Sequence, residues 1–229
     1  MTGSLVSPGT RERVRAAAIP IATALGRLGL TPNALTVIGF LGTAVAAYAA
    51  SQREWLAAGL LVLAFGIFDL FDGALARATA RVTRFGAFLD SVLDRSGEAL
   101  TYVGIAAGCI SAGYELGAFL AATALASSQL VPYVRAKAES LGYAPASGMM
   151  HVGLAPREVR LTLLVLGLVL TGLLGGIQVA NDSGFAGWDL FGEADGSRVF
   201  ALALGLITIL AVVTTIQRLL VVRAQAKED

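Results

Sequence analysis

Four aspartates stand in an otherwise apolar part of the sequence, at positions Asp69, Asp72, Asp90 and Asp94. A carboxylate at bilayer depth costs several kcal/mol unless something neutralises it. Carboxylate oxygens are preferred ligands of Mg²⁺, Mn²⁺ and Ca²⁺, and the absence of a nearby cysteine or histidine argues against zinc. The four aspartates therefore predict a site for a hard divalent cation.

The spacing of these aspartates predicts two helix faces. The first face has the spacing i, i+3, i+4, i+7 and carries Asp69, Asp72, Gly73 and Ala76. The second has the spacing i, i+4, i+8 and carries Gly86, Asp90 and Asp94. Because only a short segment separates the two faces, we expect antiparallel helices that are direct neighbours. Their carboxylates would then converge near one end of both helices.

The composition indicates a membrane protein. Hydrophobic residues make up 56% of the 229 positions and charged residues only 14%, with a mean hydropathy of +0.73. Ordinary soluble domains contain about 25% charged residues. We predict an all-α polytopic fold with six transmembrane helices of bilayer length. The predicted spans are about 33–50, 55–76, 85–111, 116–134 (with helix continuing toward 141), 159–179 and 199–222.

The basic residues predict an orientation. With six spans, all of the 17 Lys and Arg residues except Arg53 and Arg198 would lie on one side. The positive-inside rule places that side, both termini and the aspartates in the cytoplasm, and we expect the plasma membrane. Arginines among apolar residues in 3–30 predict an amphipathic surface helix. We therefore divide the chain into a juxtamembrane segment, 1–30, and a membrane domain, 31–229. The net charge of +1 does not suggest nucleic acid as a partner.

The run from Asp69 to Asp94 reads D-x2-D-G-x2-A-R-x8-G-x3-D-x3-D. This run resembles the signature of the CDP-alcohol phosphotransferase family, and eight fixed residues at fixed spacing make the signal specific. The resemblance implies six transmembrane helices behind a surface helix, two Mg²⁺ ions (with Mn²⁺ as an alternative) and a homodimer. It also implies transfer of a phosphatidyl-type group from a CDP-linked lipid to an alcohol, with release of CMP.

The resemblance also implies roles for particular residues. Asp69, Asp72 and Asp90 would bind metal, while Asp94 would be the general base and also touch the second metal. The CDP-lipid would contact Asn33, Thr36, Gly73, Ala76, Arg77, Thr83 and Gly86. These roles agree with the chemistry, since metals neutralise a diphosphate and a carboxylate can take a proton from an alcohol.

Three later segments, 128–139, 152–161 and 217–219, resemble the branch of the family that uses inositol phosphate as acceptor. Arginine forks and lysine suit the oxygens of an acceptor phosphate. The predicted acceptor residues are Arg135, Lys137, Arg157, Arg160 and Arg218. Two positions depart from the branch: Pro156 replaces a common acidic residue, and Glu98 replaces a common aspartate. Glu98 could still orient a partner or a metal-bound water.

Other readings remain open at this stage. Glycerol 3-phosphate is also a phosphorylated acceptor, although that branch more often has proline at position 91 and lysine at position 95, where this chain has Ser91 and Arg95. A membrane prenyltransferase would usually be longer and would lack the Gly–Ala–Arg framework. A cation transporter would often show internal repeats, and none is evident. The sequence does not discriminate a diacylglycerol lipid from an archaeol lipid.

Overall fold

The fold is known from a computed structural model that describes residues 19–79, 82–143, 153–177 and 196–226. For Asp69 and Leu70 it describes the backbone alone. The predicted surface helix falls mostly on residues 1–18, outside the described ranges. Within those ranges the structure is all helical, which confirms the predicted fold class. The six long helices are α1 (Pro32–Ser51), α2 (Trp55–Ala78), α3 (Arg84–Ser111), α4 (Glu115–Ser140), α5 (Arg157–Leu173) and α6 (Gly196–Gln225).

Four of these helices, α1, α2, α4 and α6, are long and apolar enough to cross a membrane. Helix α3 is longer than most but carries the acidic residues Asp90, Asp94 and Glu98, and α5 has only 17 residues. Many large apolar side chains point outward, among them Leu41, Leu202 and Ile209. An outer surface of this kind suits lipid rather than water. The described ranges therefore have the all-helical architecture and the apolar surface of a membrane protein.

The six helices form a ring in which each packs mainly against two others along the described residues. The order around the helix ring is α1, α2, α5, α6, α4, α3, and back to α1. The expectation that α2 and α3 are direct neighbours is therefore wrong, because α1 lies between them.

Small residues explain how α1 fits between the two aspartate-bearing helices. Gly42 of α1 faces the ring of Phe65 on α2, which a side chain at position 42 would strike. On the other side, a methyl group at Gly104 of α3 would collide with the carbonyl of Ala47. Helices approach this closely only where glycine or alanine lines the contact.

The helix ends nearest the aspartates are set by threonine caps. The Thr31 hydroxyl accepts a hydrogen bond from the Ala34 amide at 3.2 Å, and Pro32 follows as the first residue of α1. The Thr83 hydroxyl accepts one from the Gly86 amide at 2.9 Å at the start of α3. Both helices therefore begin at the same end of the ring, beside the C-terminal end of α2.

The fifth helix is shorter than predicted. It ends at Leu173 rather than near 179, because Gly175 and Gly176 adopt the left-handed φ values of 88° and 83°. The Gly176 amide then bonds to the Thr171 carbonyl at 2.9 Å, a common way to terminate a helix.

The helical residues 19–27 attach to the ring beside the aspartates. Ala22 is fully buried against Leu35 of α1 and against Ala74 and Leu75 of α2. A methyl group at Gly26 would touch the side chain of Leu75. This segment therefore covers the end of the ring at which α1 starts and α2 ends.

Candidate active site

A cavity of about 300 Å³ opens where α2 ends and where α1 and α3 begin, and we call it the aspartate cavity. Its described lining consists of Pro32, Asn33, Thr36, Asp72, Gly73, Ala76, Arg77, Val82, Thr83, Gly86, Ala87 and Asp90. All seven residues predicted to contact a CDP-lipid lie in this lining. The structure thus brings the start of α1 against the end of α2 and the start of α3, which follow about 40 to 50 residues later in the sequence.

Glycine keeps this cavity open. A Cβ atom at Gly86 would lie 3.0 Å from the Thr83 hydroxyl and 3.1 Å from Oδ1 of Asn33. A Cβ atom at Gly73 would lie 3.3 Å from a guanidinium nitrogen of Arg77. Any side chain at either glycine would therefore occupy cavity space or displace a polar group of the lining.

Two of the four aspartates, Asp72 and Asp90, line this cavity from different helices. Asp72 is buried, with 7% of its surface exposed, and its Oδ2 accepts a hydrogen bond from the Thr36 hydroxyl at 2.7 Å. Asp90 lies half-buried on α3 across the cavity. Because α1 lies between α2 and α3, its residue Thr36 can donate this hydrogen bond to Asp72 from within the cavity lining.

The donor set of this cavity suits a divalent metal. Carboxylates enter from two helices, and the described lining contains no cysteine or histidine, which fits a hard oxygen-preferring cation. Among the described side chains, no three metal-binding groups gather at a single point. The side chain of Asp69 lies outside that description, so the complete ligand set stays a prediction.

Asp94 lies one turn beyond Asp90 on α3 and lines a second, smaller cavity of about 40 Å³. We call this the connecting cavity, because it shares Thr36 with the aspartate cavity and shares Glu98, Arg157 and Arg160 with a third cavity. Oδ2 of Asp94 lies 2.9 Å from a guanidinium nitrogen of Arg157 and 3.6 Å from one of Arg95. Asp94 therefore stands between the two larger cavities.

The third cavity measures about 460 Å³ and is rich in arginine, so we call it the arginine cavity. Its charged lining consists of Arg95, Glu98, Arg135, Glu139, Glu158, Arg157, Arg160 and Arg218. Four of the five predicted acceptor residues are among these. The fifth, Lys137, is exposed on α4 and does not line the cavity.

The arginines of this cavity differ in how they are held. Arg135 is paired with Glu139 on its own helix at 2.8 Å, with both side chains more than a third exposed. Arg218 is buried, and its guanidinium donates to the Val131 carbonyl of α4 at 2.5 Å. Arg160 is buried against Glu98. The cavity thus combines accessible and enclosed guanidinium groups.

Sequence reasoning missed the two ion pairs between α3 and α5. Asp94 and Glu98 are spaced i, i+4, while Arg157 and Arg160 are spaced i, i+3, so each pair of like charges shares one helix face. This similar spacing of two acidic and two basic residues was the sequence signal for the ion pairs. It indicates two ion pairs only when α3 and α5 are known to face each other, which the sequence does not reveal.

Comparison with known proteins agrees with this geometry. A family model described as CDP-alcohol phosphatidyltransferase matches residues 29–221. The phosphatidylinositol phosphate synthase of Cutibacterium acnes is 34% identical over 206 residues, covering 89% of this chain and 91% of that protein. The archaetidylinositol phosphate synthase of Pyrococcus horikoshii is 38% identical over 154 residues, covering 67% of this chain and 77% of that protein.

Solved structures agree as well. The phosphatidylinositol phosphate synthase of Mycobacterium tuberculosis, in complex with manganese and citrate, superposes with a TM-score of 0.72 at 26% identity. That match covers 90% of this chain and 88% of the other. A second structure of the same synthase, with CDP-DAG bound, superposes with a TM-score of 0.71 and covers 90% and 92%. The family resemblance seen in the aspartate motif is thereby confirmed, and the chain belongs to the CDP-alcohol phosphatidyltransferase family, a family of metal-dependent membrane transferases.

Proposed function

We propose that this enzyme transfers a phosphatidyl-type group from a CDP-linked lipid to a hydroxyl of inositol phosphate and releases CMP. The observation that carries the proposal is that Asp94 lines the connecting cavity, which shares residues with both the aspartate cavity and the arginine cavity. The aspartate cavity offers carboxylates, small residues and Arg77, whereas the arginine cavity offers a basic surface, and Asp94 lies between them. The relatives named above are synthases of archaetidylinositol phosphate and of phosphatidylinositol phosphate, as their names state.

The aspartate cavity would hold the CDP-lipid. Asp69, Asp72, Asp90 and Asp94 would hold two Mg²⁺ ions, with Mn²⁺ as the alternative, and the bound metal would neutralise the diphosphate. Arg77 lies at the end of α2 and reaches into the same cavity, where its guanidinium suits a phosphate oxygen. The open space beside Gly73 and Gly86 would admit the nucleotide part.

Asp94 would accept the proton of the acceptor hydroxyl. The hydroxyl oxygen then forms a bond to the phosphorus that carries the lipid, and the bond from that phosphorus to the oxygen of CMP breaks. A carboxylate within hydrogen-bond reach of the alcohol is suited to this role. The position of Asp94 between the two cavities would place it beside both substrates.

The arginine cavity would hold the phosphate of the acceptor. Arg157 is the central candidate, because its side chain is 37% exposed and already contacts the carboxylate that would act as base. Arg135 and Arg218 line the same cavity from α4 and α6. Lys137, predicted from the sequence, would contribute only if its long side chain turned back over the helix.

We also propose that all six helices cross the plasma membrane, with both termini and the cavities on the cytoplasmic side. Helices α3 and α5 each pack between neighbours in a closed ring whose other members have the length and apolarity of membrane spans. Residues 1–30 would lie on the membrane surface, consistent with the exposed Ile19, Ile21 and Leu28 in the described part. A homodimer is expected from the family resemblance, and mass measurement in detergent would test it.

The test is release of CMP by purified protein supplied with Mg²⁺ and CDP-diacylglycerol or its archaeol counterpart. The acceptors are inositol phosphate, inositol without phosphate and glycerol 3-phosphate. We expect turnover with inositol phosphate and none with inositol. If CMP is released with glycerol 3-phosphate alone, glycerol 3-phosphate replaces inositol phosphate as the assigned acceptor. If no acceptor leads to release of CMP, the proposed reaction is refuted.

A further inference from the structure

Two ion pairs cross the interior of the helix ring between α3 and α5. One joins Asp94 to Arg157, and the other, one turn farther along α3, joins Glu98 to Arg160. Helices α3 and α5 are not neighbours in the order of the described ring. These side chains therefore connect two helices that do not pack side by side.

The two ion pairs differ in their accessibility. The side chain of Arg157 is 37% exposed and that of Arg160 only 3%. A ligand that enters the arginine cavity can therefore reach the first guanidinium without displacing protein, but not the second.

Arg160 is also almost fully engaged by hydrogen bonds. Its Nε and one terminal nitrogen donate to Oε1 of Glu98 at 3.1 and 3.0 Å, and the same terminal nitrogen donates to Oε2 at 3.1 Å. The other terminal nitrogen donates to the Ala155 carbonyl at 3.0 Å. A guanidinium has five N–H donors, so these four bonds leave no pair of parallel N–H donors with which to bind two phosphate oxygens.

The bond to Ala155 extends this network to the sixth helix. The Ala155 amide donates to the Thr214 hydroxyl at 2.9 Å, and both residues are fully buried. Ala155 precedes Arg157 by two residues, and Arg160 follows Arg157 by three. The backbone that carries Arg157 is therefore held on both sides by one buried polar network.

We propose that Glu98 and Arg160 are positioning residues that together fix Arg157 at the mouth of the arginine cavity, and that Arg160 does not itself bind the acceptor phosphate. This rests on the proposed function, because it assigns Arg157 to the phosphate of the acceptor. It changes the role predicted for Arg160 and gives Glu98 a role that the aspartate motif does not include.

The two roles for Arg160 predict opposite effects of Glu98→Gln. If Glu98 and Arg160 act as one positioning pair, Glu98→Gln and Arg160→Gln each raise the KM for inositol phosphate on the order of tenfold, the size of one lost charge-assisted contact. The double variant is then no worse than either single variant. If instead Arg160 binds the phosphate, Glu98→Gln removes its competitor and leaves that KM unchanged or lower, which would overturn the proposal.

A lysine variant and a distant control sharpen the result. Arg160→Lys keeps a positive charge, but its single nitrogen cannot take the positions of the three guanidinium nitrogens that reach Glu98 and Ala155. We therefore expect a KM increase as large as that of Arg160→Gln. A wild-type KM in Arg160→Lys would contradict the positioning role. Glu115→Gln, an exposed change at the opposite end of the ring, should leave both substrate KM values unchanged.

Separate controls test whether each variant is folded and whether the result depends on inositol phosphate being the acceptor. The KM for the CDP-lipid should stay at the wild-type value in each variant, because neither Glu98 nor Arg160 lines the aspartate cavity. If a single variant does not fold because a buried charge is left unpaired, the neutral double variant replaces it and must show the raised acceptor KM. Binding of inorganic phosphate, measured by calorimetry, should weaken in Glu98→Gln. Equal or tighter binding would refute the positioning role even if another acceptor replaced inositol phosphate.

Discussion

The hydrogen bond from Thr36 to Asp72 offers a direct test of the proposed metal site. The Thr36 hydroxyl lies 2.7 Å from Oδ2 of Asp72 and 3.1 Å from the Pro32 carbonyl. A hydroxyl has one proton, and the charged, closer acceptor is the stronger partner. Thr36 therefore holds the buried Asp72 carboxylate in one orientation, and Thr36→Val removes this bond while preserving the side-chain shape.

The size of the effect follows from the burial of both groups. Each residue is 7% exposed, so water cannot replace the lost donor freely. A hydrogen bond to a charged group contributes about 1.5–3 kcal/mol. Removing a partner that orients a metal ligand typically weakens metal affinity about 10- to 100-fold. We expect a loss within that range for Mn²⁺ and for Mg²⁺.

The measurement is Mn²⁺ binding followed by electron paramagnetic resonance, together with the Mg²⁺ concentration that gives half-maximal CMP release. Thr43→Val is the matched control, because Thr43 lies two turns along the same helix and, among the described residues, its hydroxyl donates to the backbone carbonyl of Gly39 at 3.0 Å rather than to a carboxylate. Thr36→Ser should restore metal affinity. Equal metal affinity in Thr36→Val and Thr43→Val would refute the assignment of Asp72 as an oriented metal ligand.

Three further predictions concern the two substrates. Asp94→Asn should abolish turnover and leave binding of the CDP-lipid near the wild-type value in a direct binding assay; equal loss of both would make Asp94 chiefly a metal ligand. Arg157→Ala should raise the KM for inositol phosphate at least tenfold and the KM for the CDP-lipid little, and an unchanged acceptor KM would remove Arg157 from the acceptor site. Gly86→Ala should raise the KM for the CDP-lipid, because the new methyl group would lie about 3 Å from Asn33 and Thr83. Gly205→Ala, which meets open space on α6, should leave that KM unchanged, and an equal rise in both variants would contradict the reasoning.

Much of the fold was readable from the sequence because apolar stretches of bilayer length are a strong signal. The ends of α1, α2 and α3 agree with the predicted spans within two residues. The end of α5 was misplaced, since the left-handed conformation of Gly175 and Gly176 interrupts a stretch that is still apolar. Composition alone does not predict where such glycines leave the helix.

The neighbours of each helix were less predictable than its length. A short connection between α2 and α3 suggested direct packing, yet small residues on both faces of α1 let it lie between them. Packing partners depend on the shapes of both surfaces, and a single sequence gives no direct measure of that fit.

The sequence by itself determined the chemistry of this protein, because carboxylates, glycines and an arginine at fixed helical spacing define the family and its reaction. It also identified the residues around the aspartate cavity, since that cavity is built from the motif and from the start of α1. Only the tertiary structure decided which arginine is exposed to a cavity and which is buried in an ion pair. Arg157 and Arg160 are three residues apart and chemically identical, but one is open to a cavity and the other is enclosed by Glu98 and Ala155. That difference arises from contacts between α3 and α5, which are distant in sequence and meet only across the folded ring.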